Sequence, residues 1–254
     1  MGDFMNNLRH LFQFLANYFY HPILSLLYPN FCKNCLIPLE VNELILCETC
    51  ILELPKLRNE KHCKFCSSLE FLDMDSICTS CQYGFREIHH FERNISIFIY
   101  EDLIQEIIIA GKFGKRPSVW RFFGREMART LQTFIQSNSI IIPVPISKKR
   151  LMERGFNQST LLAKEMSELL SVDYSDKILI KIKDNNKQIH LSQEERIVNP
   201  MGCYHVRFPE LIKNKIIYLI DDVYTTGSTV NECSRVLKEA GTGPIYSVTV
   251  AKRD

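Results

Sequence analysis

The run Ile216-Ile217-Tyr218-Leu219-Ile220-Asp221-Asp222-Val223-Tyr224-Thr225-Thr226-Gly227-Ser228-Thr229 decides the fold of this chain. Its five leading apolar residues have the length and composition of a strand buried on both faces. Such a strand belongs in a parallel sheet, and a helix over residues 228–240 supplies the covering element that a parallel sheet needs. Between strand and helix lie two carboxylates and a hydroxyl-rich turn. Asp221 and Asp222, at the strand's carboxyl end, can accept hydrogen bonds from vicinal sugar hydroxyls or hold a hydrated magnesium ion, both tasks for hard anionic oxygen. Thr225, Thr226, Gly227, Ser228 and Thr229 add hydroxyls and closely spaced backbone amides. Gly227 lets the backbone approach an anion, and the following helix presents its positive dipole end. Singly, an acidic pair merely ends a strand and Ser228 and Thr229 merely cap a helix. Together, in nine consecutive residues, they describe a cradle for a phosphomonoester, and the absence of Gly-x-x-x-x-Gly-Lys argues against a Walker nucleotide loop.

Working outward, strand-like runs at 95–100, 139–144, 178–182 and 245–251 alternate with helical stretches at 118–136 and 157–170, the order expected of an α/β domain with a parallel sheet. A second anion site is expected in Ile140-Ile141-Ile142-Pro143-Val144-Pro145-Ile146-Ser147-Lys148-Lys149-Arg150, where a strand and a proline-stiffened turn lead into three cations, with Arg154 extending the cluster. A solvated helix end explains three adjacent cations in isolation. Following a strand, in register with the first anion site, they favour a diphosphate.

Eight of the ten cysteines form four Cys-x-x-Cys pairs: Cys32/Cys35, Cys47/Cys50, Cys63/Cys66 and Cys78/Cys81. The unit Cys-x-x-Cys, eleven residues, Cys-x-x-Cys occurs twice with a period of 31. Two such turns place four thiolates around one zinc ion, and with every ligand drawn from the protein the metal is structural. Consecutive pairing gives the tetrads Cys32, Cys35, Cys47, Cys50 and Cys63, Cys66, Cys78, Cys81; crosswise pairing of the knuckles, or a redox role for one of them, stays open at this level. Cys203 and Cys233 read as core residues, and His62 as a solvated neighbour of Cys63. Reduced thiolates imply a cytoplasmic address. The three expected segments are a helical lead (1–30), a double zinc ribbon (31–85) and the α/β domain (86–254).

The lead is apolar from Leu11 to Tyr28, but Gln13, Asn17, His21 and Ser25 form a polar stripe and Pro22 interrupts the run. A docked or interfacial helix fits this pattern better than a signal or a membrane span, with association at the inner membrane surface as the alternative to burial. The formal charge of +2 is too small for a whole-chain nucleic-acid field, so any basic surface is local. Lys112, Lys115, Arg116, Arg121, Arg125 and Arg129 could track a phosphate backbone or form a solvated helix face.

The 221–229 segment resembles the phosphoribosyl-diphosphate motif of type I phosphoribosyltransferases, apart from Tyr224, where that motif usually carries an aliphatic residue. With Pro143-Val144-Pro145, Arg154-Gly155-Phe156-Asn157-Gln158 and the polar run at 188–199, the chain is similar to the ComF family, GntX members included, from about residue 25 onward. The resemblance implies a zinc ribbon joined to a type I phosphoribosyltransferase-like domain. Asp221 and Asp222 would hold ribose hydroxyls, Thr225 to Thr229 the 5′-phosphate, and Lys148, Lys149, Arg150, Arg154 and Asn157 the diphosphate. Residues 188–196 would form a mobile cover, although residues 180–187 depart from the family's usual arginine and threonine. It also implies magnesium with phosphoribosyl diphosphate, and a cytoplasmic role in natural transformation during uptake of single-stranded DNA beside a helicase or translocation protein. An active purine or pyrimidine phosphoribosyltransferase of nucleotide salvage is the alternative.

Overall fold

In a computed structural model the described residues are 30–39, 44–57, 60–70, 73–83, 89–183 and 201–254. The helical lead, but for residue 30, and the polar run at 188–199 lie outside them. Contacts divide the chain into two compact units, Met1–Leu54 and Pro55–Asp254.

The smaller unit carries the first cysteine repeat and a short helix α1, Glu48–Glu53. The larger unit opens with the second repeat and its own short helix α2, Thr79–Tyr83. It continues through β1 (Arg93–Ile99), α3 (Asp102–Phe113), α4 (Pro117–Leu131), β2 (Ser139–Pro143), α5 (Lys148–Arg154), α6 (Gln158–Leu170), β3 (Leu179–Lys181), β4 (Tyr204–Val206), β5 (Ile216–Tyr224), α7 (Ser228–Glu239) and β6 (Ile245–Lys252). The contact boundary therefore groups the second tetrad with the sheet, whereas cysteine content alone draws a line near residue 85.

Four strands form one parallel sheet in the order β1-β6-β5-β2. β5 is central and apolar because both its faces are covered. Ile217 and Leu219 join Ile140, Ile142 and the α7 residues Val230, Cys233 and Leu237 in one buried cluster, so Cys233 and the equally buried Cys203 are core residues. Ile141 and Tyr218, alternating to the opposite face, meet the layer of α4 and α6; the Tyr218 hydroxyl donates to the Phe134 carbonyl at 2.7 Å. α4 begins at Pro117, which needs no amide partner there, and buries Val119, Trp120, Phe123, Met127 and Leu131. It lies against α6 at Gly124, where a Cβ would come within 2.8 Å of the Glu165 Cβ.

Three expectations change. The run at 178–182 contributes no strand to the parallel sheet: β3 pairs antiparallel with β4, Ile180 opposite His205, as a separate two-stranded ribbon. Its buried Leu179 and Tyr204 pack into the α7 cluster instead. Helix α3 was not among the expected elements, although Ile104, Ile107, Ile108 and Gly111 form its buried stripe. The strand ending at Ile220 continues to Tyr224, since β6 offers hydrogen-bond partners that far, Tyr224 opposite Lys252. Among the described residues no helix is long and apolar enough to cross a membrane.

Candidate functional site

β2 ends at Pro143, opposite Ile220, while β5 runs four residues further. Asp221 and Asp222 thus lie on the part of β5 that has passed its β2 neighbour, next to the turn that follows β2. Asp222 is buried, and its Oδ2 accepts a hydrogen bond from Gln158 Nε2 at 3.0 Å and an ion pair from Lys112 Nζ at 2.9 Å. Gln158 Oε1 in turn accepts from Arg154 Nη1 at 3.0 Å. Asp221 Oδ1 accepts from Ser159 Oγ at 3.1 Å and from the Asp222 amide at 2.9 Å. Burial, and after it the neighbouring Asp222 charge, pushes the Asp221 carboxyl up to about 7, against the opposing pull of its hydrogen bonds and Lys112. Burial also lowers the Arg154 guanidinium, an effect that the Asp222 charge opposes. The acidic pair is therefore held by donors from α3 and α6, with the Asp221 carboxyl raised well above the usual carboxylate range.

Beyond the pair, Thr226 Oγ1 and Ser228 Oγ share a hydrogen bond of 2.6 Å, and Gly227 caps α7 with φ 76°. That left-handed angle favours glycine. So does space, because a Cβ at Gly227 would collide with the Tyr224 hydroxyl. The glycine brings no capping side chain to the α7 amides.

Lys148, Lys149 and Arg150 are exposed on the first turn of α5, which Ser147 caps by accepting from the Arg150 amide at 3.3 Å. They stand on a helix, not on the turn itself. Arg154 closes that helix and reaches the acidic pair through Gln158. Asn157 has both side-chain groups engaged: Nδ2 donates to the Val144 carbonyl at 3.0 Å and Oδ1 accepts from the Ser159 amide at 3.1 Å. It ties the end of β2 to the start of α6. Sequence reading gave Gln158 and Ser159 no role and put Lys112 on a basic face. Gln158 was visible within the Arg-Gly-Phe-Asn-Gln run, whereas nothing local marks Lys112. Of the basic positions considered there, Arg125 pairs with Glu165 and Arg129 with Glu126, so with Lys112 three of the charges already face carboxylates.

The cysteines resolve into two consecutive tetrads, Cys32, Cys35, Cys47, Cys50 and Cys63, Cys66, Cys78, Cys81, each with its four sulfur atoms within 4.8 Å of one another. The repeat in sequence is a repeat in backbone. Lys33 and Lys64 amides donate to Ile45 and Ser76 carbonyls, Leu36 and Ser67 amides to Cys32 and Cys63 carbonyls, and each donor and acceptor is 31 positions from its counterpart. The second knuckle of the first repeat stands at a helix start, with Cys47 as N-cap, but its sulfurs converge with the first knuckle rather than standing apart as a redox dithiol. Four thiolates this close cannot all ionise without a cation. Hydrogen bonds from Cys66 and Cys81 lower Cys63, while those with Cys63 and Cys81 raise Cys66. A tetrahedral zinc ion would be held by each set and would supply folding free energy. His62 is outside both sets, its Nδ1 2.9 Å from the Glu60 carbonyl.

No protein-family model matches the chain. Competence protein ComFC of Bacillus subtilis is 28% identical over 199 residues, 77% of this chain and 78% of that protein. Competence protein F of Haemophilus influenzae is 35% identical over 121 residues, 46% of this chain and 51% of that protein, so the match spans about half of it. The DNA utilization protein YhgH of Escherichia coli is 26% identical over 159 residues, 61% of this chain and 69% of that protein. This chain is a homologue of the ComF-type competence proteins. Among solved structures, a Trypanosoma brucei adenine phosphoribosyl transferase in complex with AMP, pyrophosphate and ribose-5-phosphate superposes with a TM-score of 0.37 and 18% identity over 57% of this ComF homologue and 68% of that chain, too loose a likeness to carry weight alone.

Proposed function

We propose that this ComF homologue binds phosphoribosyl diphosphate at the carboxyl end of β5 and serves the handling of incoming single-stranded DNA during natural transformation. The observation that carries the reading is the conjunction at one strand end of a donor-held acidic pair, Asp222 buried and Asp221 half-buried, and a helix start whose N-cap is a glycine fixed in the left-handed conformation. Asp221 and Asp222 accept the ribose hydroxyls, and Thr225, Thr226, Gly227, Ser228 and Thr229 surround the 5′-phosphate. The diphosphate falls to Lys148, Lys149, Arg150 and Arg154, with Asn157 fixing the turn between them. Magnesium would accompany the diphosphate, neutralising its charge, while the Asp222 oxygen that Lys112 and Gln158 do not occupy stays available to a ribose hydroxyl. Two zinc ions complete the cofactors. The competence and DNA utilization names of the relatives support the cellular role, with direct DNA contact, a helicase or translocation partner and attachment at the inner membrane surface as parts of the same proposal.

Calorimetric titration of the full chain with phosphoribosyl diphosphate, with and without magnesium, tests the site. Pyrophosphate release is then followed over a panel of purine and pyrimidine bases and with single-stranded DNA. Binding without release supports a ligand-sensing DNA-handling factor. Release with one base identifies a transferase of nucleotide salvage, and no binding at all overturns the site.

A further inference from the structure

Phe65 lies between two ligands of the second tetrad, in Cys63-Lys64-Phe65-Cys66. Its ring is 5.5 Å from that of Phe91, and the Phe91 ring meets Tyr224 edge-on at 6.4 Å. The far end of Tyr224 is the hydroxyl beneath Gly227, in the space where a Cβ would otherwise sit. An unbroken line of packed rings therefore runs from a metal knuckle to the glycine of the phosphate loop. All four sulfur ligands, Phe91, Tyr224 and Val230 of α7 belong to one buried cluster.

A second line runs through the backbone. The knuckle is fastened to β1, with the Asn94 amide donating to the Phe65 carbonyl at 2.7 Å and Ser67 Oγ to the Asn94 carbonyl at 2.9 Å. Asp254 accepts from Ser68 Oγ at 2.7 Å and from the Leu69 amide at 3.0 Å, and next to it the Arg253 amide donates to the Tyr224 carbonyl at 2.9 Å. Tyr224 is thus held from its ring side by Phe91, which also meets Phe65 of the knuckle, and from its backbone by Arg253, whose neighbour Asp254 binds the residues just after the knuckle.

We infer that the second cysteine tetrad and the phosphate loop are one mechanical unit joined through Phe65, Phe91 and Tyr224, so that metal occupancy at Cys63, Cys66, Cys78 and Cys81 sets the loop's hold on a phosphomonoester. This rests on the phosphate-loop reading above. A tetrad that lets go of its metal loosens the knuckle and removes the support behind Phe91. Tyr224 then gains room to turn, and Gly227 loses the surface that fixes it. Tyr224 is a positioning residue here, since its ring faces the core and not the ligand. Packed interiors transmit such displacements because they have few voids to absorb them.

The test uses the full chain and variants of it. Cys78→Ser removes one ligand; Phe91→Leu leaves both tetrads intact and cuts the line of rings, so it remains informative if the cysteine variant fails to fold. Zinc content, affinity for ribose 5-phosphate, affinity for inorganic pyrophosphate and amide exchange at residues 225–229 are measured on each. Phe91→Leu is expected to keep its full zinc content and its pyrophosphate affinity, to bind ribose 5-phosphate roughly three- to thirty-fold more weakly, and to exchange faster in the loop. Wild-type ribose 5-phosphate affinity and loop exchange in that variant would overturn the coupling, as would an equal loss for pyrophosphate. If the unaltered chain binds no ribose 5-phosphate, the functional reading falls, and loop exchange alone then decides the coupling: unchanged exchange in Phe91→Leu overturns it.

Discussion

Leu36 and Ser67 hold the same place in the two cysteine repeats, 31 positions apart, each in a left-handed backbone conformation with φ 61° and 65°. Leu36 is 72% exposed, whereas Ser67 is 3% exposed and bonded to β1. The ligand spacing has fixed the local backbone of both knuckles, because four sulfurs can reach one ion only if the chain turns this way. It has not fixed their surroundings. Those follow from the residues between and beside the ligands: Asn34, Leu36 and Ile37 in one repeat, Phe65, Ser67 and Ser68 in the other. The first tetrad belongs to the smaller unit, and the second is a part of the sheet domain's core.

The largest test of this contrast removes one ligand from each repeat. Trp120 is the single tryptophan, buried under the sheet, and its fluorescence reports unfolding of the larger unit alone. Cys78→Ser is expected to lower that unit's stability by on the order of 5 kcal/mol, part of the roughly 10–16 kcal/mol that a structural zinc ion contributes when bound. Cys47→Ser should cost one zinc ion and leave the Trp120 transition where it was. Equal shifts in a urea titration would erase the distinction between the repeats.

A smaller effect is expected at the acidic pair, which depends on neither repeat directly. Asp222→Ala leaves Lys112, only 19% exposed in its side chain, without its counter-charge, and leaves the Gln158 amide without an acceptor. A loss of about 2–3 kcal/mol is expected in the same Trp120 transition, below the ~3–5 kcal/mol of a fully buried pair because water reaches the lysine. The residue thus serves the fold as well as a ligand, and Asp222→Asn is the milder probe of binding. A shift smaller than that of Asp221→Asn would mean that the Lys112 pair contributes nothing.

The neighbouring carboxyl gives a pH signature. Asp221 is raised from 3.8 to about 7, so the folded state holds a proton that the unfolded chain has lost between those values. Its contribution is fully present below about 4 and is lost as pH rises through 7. Asp221→Asn should remove this dependence. The difference between wild type and variant, taken from pH 5.5 to 8, isolates it from proton release by the thiols. It should reach on the order of 1 kcal/mol, since one pKa unit corresponds to ~1.4 kcal/mol and the half-exposed side chain is screened. A flat difference would show that Asp221 titrates normally.

How far these features could be read in advance depends on the range of the interactions. The strand-turn-helix around Asp222 and Gly227, the two tetrads and the alternation of elements are local patterns, and they were legible because periodicity, glycine placement and ligand spacing act within a few residues. The Lys112–Asp222 pair joins positions 110 apart, and a lysine near a helix end looks the same whether it faces water or a carboxylate. β3 read as a sheet strand from its apolar residues, but its partner is chosen by which edge is free, a property of the assembled domain. Nothing local marks Phe65 apart from its place between two cysteines; only packing shows that its ring meets Phe91, whose own ring meets Tyr224. Tyr224 gave a signal, an aromatic ring where the motif it resembles usually carries an aliphatic residue, but not the direction in which that ring would point.

The finest test returns to Leu36 and Ser67, where the two repeats share a conformation and differ in context. A left-handed non-glycine residue costs roughly 1–2 kcal/mol, and glycine relieves it while giving up roughly 0.5–1 kcal/mol of extra chain freedom on folding. Leu36→Gly should therefore tighten the first tetrad slightly, by about 0.5 kcal/mol, because its exposed side chain contributes little else. Ser67→Gly obtains the same relief but loses the hydroxyl that donates to the Asn94 carbonyl and accepts from the Ser96 amide at 3.3 Å. Buried groups left unpaired cost about 1–3 kcal/mol, so the net effect reverses sign and the larger unit should be destabilised by about 1 kcal/mol. Zinc affinity measured by chelator competition for the first variant, and the Trp120 transition for the second, give the two signs. The same sign for both would mean that the backbone geometry of the knuckle outweighs its attachment to β1, and that the second repeat is no more part of the sheet domain than the first.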